Sequence, residues 1–105
     1  VNASAPPARL ELPGAFNVAT CDATGIALAH GLGSRTMPIV NTAVAGAFAA
    51  ATGLVALRSV LRAIPDVVPV ETSANQSAAE EAFGRTQVRL AAGPALATPE
   101  EGVMT

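Results

Sequence analysis

No formal charge occurs between Arg35 and Arg58, and the stretch they enclose limits this chain's fold more than any other part of it. Met37-Pro-Ile-Val-Asn41-Thr-Ala-Val-Ala-Gly46-Ala-Phe-Ala-Ala-Ala-Thr-Gly53-Leu-Val-Ala-Leu57 is rich in small residues, with Pro near its entry and Gly near its exit. Pro38 suits a first helical position, where its missing N–H would be unpaired anyway, with Thr36 or Met37 at the cap. Gly53 suits a left-handed closing residue. The helix so bounded has about fifteen residues, short of the ~20 that cross a bilayer, and Asn41 and Thr42 add polar cost. A helix buried in a protein is therefore expected rather than a membrane span. The spacings Gly46–Ala50 and Ala45–Ala49 make a flat stripe that lets another backbone approach closely, whether a sheet, a helix or another subunit. Asn41 near the helix start can bond exposed backbone. Asn41, Ala45, Gly46 and Gly53 are thus the residues expected to matter for structure and assembly. The helix is apolar nearly all round, so it needs cover on more than one side.

The 105 residues allow one small domain. Half are hydrophobic, but Ala is prominent among them, and there are three Phe with no Trp or Tyr. Ala buries little area, so at about 25 cal/mol per Å² the hydrophobic stabilisation is modest and the chain gains by packing on a partner. A net charge of −2, with six Arg and no Lys, gives no basic stripe, which argues against nucleic acid. One cysteine, Cys21, excludes an internal disulfide framework or an iron–sulfur cluster ligated by this chain alone. No basic-then-apolar leader is visible, and a cytoplasmic location is expected.

Val1 to Ser4 reads as the tail of an element, and Ala5 to Gly14, with three prolines, as a linker-like turn region. Phe16-Asn-Val18-Ala-Thr20 alternates as a short strand does. Asp22 or Thr24 caps a short helix through about His30, ended by Gly31 and Gly33. After Gly53 an amphipathic helix sets Leu54, Leu57, Val60, Leu61 and Ile64 against Arg58 and Arg62, and Pro65 is expected to stop it. Val67 to Val70 is a connector or edge strand. Ser73-Ala-Asn-Gln76 has capping-box spacing and opens a last helix to about Leu90, with Glu81 and Arg85 as an i,i+4 pair. The expected domain spans 1–91, and 92–105 is an extended or disordered tail.

Few residues are candidates for chemistry. His30, the single histidine, stands at a helix end as a partner for the helix dipole. Cys21 precedes a helix start, where a thiolate is favoured, although packing is the simpler role. Gly31-Leu-Gly33 lacks the preceding strand and third glycine of a dinucleotide loop. Glu80–Glu81 and Glu100–Glu101 are sequence neighbours that diverge on a helix, so neither is an acid/base dyad. No metal-ligand cluster is spaced in the sequence. The residues do not make a complete enzyme.

The order of the pieces is familiar. Cys21-Asp22-Ala23-Thr24, then Gly31-Leu-Gly33, then Val40-Asn41-Thr-Ala-Val-Ala-Gly46-Ala, then Ala51-Thr52-Gly53-Leu-Val55 and a Leu-rich helix resembles the gamma subunit of 2-oxoacid:ferredoxin oxidoreductases, in its C-terminal part. That family shows a Val-Asp-Ala-Thr strand end, an Asn-Met-x-Met-Leu-Gly-Ala helix start and a Thr-Gly-Leu-Val-Ser-Leu turn. The resemblance covers residues 1–64 closely and 73–90 loosely. It implies an α/β fold, here part of a Rossmann-like domain, mostly helical with one or two short strands. It also implies a non-catalytic subunit with no cofactor in this chain. In the assembled enzyme, alpha- and beta-type catalytic subunits would bring thiamine diphosphate, iron–sulfur clusters and coenzyme A, with ferredoxin or another acceptor served indirectly. This chain would pack on those subunits and border the coenzyme A side.

The departures are specific. The family's opening strand and Gly-x-Gly-Gly-Gln-Gly loop have no counterpart, so the resemblance sets Val1 in the middle of that domain. Thr42, Val44 and Ala45 stand where bulkier residues are usual. Ala56 replaces a capping Ser, at a cost of about 1 kcal/mol. A different class of function also fits the residues, a small interaction module that docks on an unrelated protein through the Ala/Gly-rich helix.

Overall fold

The computed structural model describes residues 1–11 and 16–91. Among them are four α-helices and two strands: β1 (Val18–Thr20), α1 (Ala23–Ala29), α2 (Asn41–Thr52), α3 (Leu57–Val67), α4 (Thr72–Arg85) and β2 (Gln87–Arg89). A 3-10 turn, Pro7–Leu10, precedes them. The content is mostly helical with a small sheet, which is compatible with an α/β class. The tail from 92 and part of the linker-like region, including Pro13 and Gly14, lie outside the described residues.

β1 is the centre of the sheet. β2 runs antiparallel to it, pairing Val18 with Arg89, Ala19 with Val88 and Thr20 with Gln87. On its other side the first residues run parallel, since Ala3 N donates to Cys21 O at 3.0 Å and Cys21 N to Val1 O at 3.1 Å. Alternate residues of a strand turn their backbone groups to opposite edges. Residues 19 and 21 therefore serve the chain start, and 18 and 20 serve β2.

The helices owe their bounds to local chemistry. Asp22 caps α1, its carboxylate accepting from Gly25 N at 3.0 Å, and His30 closes that helix. Gly53 ends α2 at φ 66°, where a side chain would be strained. Ala56 caps α3 with no side-chain bond, leaving the first-turn amides without the hydroxyl a Ser would bring.

Five boundaries differ from those the sequence suggests. α2 begins at Asn41 rather than Pro38. Ser34 and Met37 exchange backbone hydrogen bonds, and Ile39 N donates to Leu32 O at 3.1 Å, so Pro38 is held in a tight hairpin against Gly33. α3 begins at Leu57, since Ala56 ahead of it is in extended backbone, and Leu54 N donates to the Thr52 hydroxyl at 3.1 Å. Pro65 does not stop α3, which continues to Val67, so no strand starts there. α4 begins at Thr72, with Glu71 ahead of it in the left-handed region and no capping box, and it ends at Arg85. Residues 87–89, expected to be helical, instead pair with β1.

The core sits where α1, α2 and α4 meet, built from Cys21, Ala23, Ile26, Ala27, Leu32, Ala43, Ala78 and Ala82. Ile26 and Leu32 are its largest fully buried side chains. The remaining volume is mostly Ala, so the helices can be held together only by close backbone approach. Gly46 supplies it. A Cβ at that position would collide with the Ala79 carbonyl of α4. Beside it Thr42 Oγ1 donates to Asn75 Oδ1 at 2.8 Å, a buried bond that sets how α2 registers on α4.

Candidate functional site

Three titratable groups, His30, Glu81 and Arg85, gather in one small cluster. Glu81 Oε1 lies 2.8 Å from His30 Nε2, and Glu81 Oε2 accepts from Arg85 Nη1 at 2.7 Å. Hydrogen bonds from Arg85 and then His30 hold the Glu81 carboxyl below its ordinary range. The cluster ties the end of α1 to α4 and is partly exposed to solvent. His30 thus has a carboxylate partner on another helix in addition to its place at a helix end.

Cys21 is buried, its Sγ 3.9 Å from the Ala82 carbonyl oxygen. Burial against a carbonyl makes this thiol a packed core group rather than an exposed, reactive one. Gly31 and Gly33 belong to the turn and hairpin between α1 and α2, not to a strand-to-helix loop. Among the described residues no three of His, Cys, Asp and Glu come together to hold a metal. No helix among them is long and apolar enough to cross a membrane.

A groove of about 470 Å³ between β1 and α2 has room for a ligand or partner. Phe16, Val18 and Cys21 line one wall, and Val44, Phe48 and Ala51 line the other. The second wall is one helical stripe, spaced i, i+4, i+7. Phe16, Val44 and Phe48 remain 57%, 45% and 48% exposed. Large apolar side chains grouped this way, rather than scattered, mark a surface that binds another apolar one.

The residues singled out from the sequence are spread across this helix. Gly46 and the stripe around it turn away from the groove and are covered by α4 of the same chain. Ala45 is half-buried, Asn41 is exposed at the first residue of α2, and Gly53 closes that helix. α4 meets this helix at Gly46, so a partner docking on the Ala/Gly-rich helix would meet its Val44 and Phe48 side. The groove residues Phe16, Val44 and Phe48 escaped sequence reasoning. The signal was there in part, because a helix apolar all round needs a second cover, but only the fold shows which face is left.

The chain is 51% identical over 72 residues to the pyruvate/ketoisovalerate oxidoreductases common subunit gamma of Thermococcus kodakarensis, covering 68% of this chain and 37% of that protein. It is 50% identical over 72 residues to the protein of the same name from Pyrococcus abyssi. Against pyruvate synthase subunit PorC of Methanocaldococcus jannaschii it is 48% identical over 69 residues, covering 65% of this chain and 36% of that protein. The match falls in the C-terminal part of these relatives, so the chain spans little more than a third of their length. No protein-family profile and no solved structure matches the chain.

Proposed function

We propose, for a chain that belongs to the gamma-subunit family of pyruvate and ketoisovalerate oxidoreductases, that it serves as the C-terminal part of a Rossmann-like gamma domain in a 2-oxoacid oxidoreductase. The observation that carries this reading is the identity near 50% with relatives that bear that name. In this role the chain is structural. It packs on alpha- and beta-type catalytic subunits, which would carry thiamine diphosphate and iron–sulfur clusters, and borders the side where coenzyme A enters. Electrons would leave through those clusters to ferredoxin or another acceptor, in the cytoplasm.

The chain's one cysteine is buried on a carbonyl. Its one histidine is engaged by Glu81. Its packing rests on small residues, and its larger apolar ones are left half-exposed for another surface.

Native mass spectrometry of the chain recovered from its source, with iron and thiamine assayed in the same sample, tests the reading. A large assembly containing both is expected. A lone chain, or a complex free of both, would overturn it.

A further inference from the structure

We draw no further inference here: the strongest candidate, the outer face of α3 that presents Arg58 and Arg62 with the exposed Leu54 and Val55 just ahead of it, has nothing in the structure to show what covers it.

Discussion

Gln76 Nε2 donates to the carbonyl oxygen of Leu61 at 2.9 Å, and Leu61 is the residue whose helical amide partner would have been Pro65. A proline inside a helix removes the bond to the carbonyl four residues earlier. Here a side chain from α4 takes the place of the missing amide. That substitution lets α3 run on to Val67 and ties the two helices together at the point where α3 is weakest.

Gln76→Leu should therefore destabilise the chain by about 1–3 kcal/mol, since it strands a half-buried carbonyl. Pro65→Ala restores an amide at that carbonyl, so the double variant should lose less than the two single effects predict. A coupling of about 0.5–3 kcal/mol is expected from urea unfolding of the four proteins. Strict additivity would show that Gln76 and Pro65 act independently.

At Gly46 the close passage of α2 over Ala79 leaves no room for a methyl group. Gly46→Ala should lower stability by about 1–3 kcal/mol despite its better helix propensity. Gly84, also in α4, meets nothing within 4 Å, and Gly84→Ala should raise stability by up to about 1 kcal/mol. Thermal melts of the pair give opposite signs if the α2–α4 contact is as close as described.

The buried Thr42–Asn75 bond sets the register of the same two helices. Asn75 also donates from Nδ2 to the Glu71 carbonyl at 2.9 Å, holding the left-handed entry to α4. Thr42→Val keeps the shape but leaves Asn75 Oδ1 unpaired, for a loss of about 1–3 kcal/mol, whereas Thr42→Ser should be milder. Denaturant midpoints that rank the two variants the other way would mean that the methyl group, not the hydroxyl, matters.

Glu81 gives the chain an acid-sensitive contact. Its folded pKa is lowered from the ordinary 4.5, chiefly by Arg85 and next by His30. A carboxylate with a depressed folded pKa contributes stability above its unfolded pKa and loses it as pH falls through the folded value. Melting temperature should thus decline below about pH 4.5 in the native chain, and Glu81→Gln should flatten part of that acid limb. The residue is partly exposed, so the effect is small. An unchanged acid limb in the variant would place the sensitivity elsewhere.

Local signals were legible wherever a residue and its partner lie within one turn. Asp22 caps α1, Gly53 closes α2 and Glu81 reaches Arg85 along one helix face, all as spacing predicts. The apolar character of α2 on every side was equally plain, and with it the need for a second cover. The order of motifs from Cys21 to Val55 carries the resemblance to the gamma-subunit family.

What the tertiary structure decided were the places where a distant group competes with a local one. Pro65 reads as a stop, yet Gln76, fifteen positions from the Leu61 carbonyl and on another helix, supplies the bond that a local rule counts as lost. Residues 87–89 continue a helical pattern, yet the edge of β1 offers them a ladder, and Thr86 turns out of the helix toward it. Pro38 suits a helix start, yet the hairpin with Gly33 claims it first. Capping and periodicity act through neighbours in sequence, so the chain alone settles them. Backbone groups freed by a proline or a strand edge find partners only after the chain has folded back, and the same folding leaves Val44 and Phe48 uncovered.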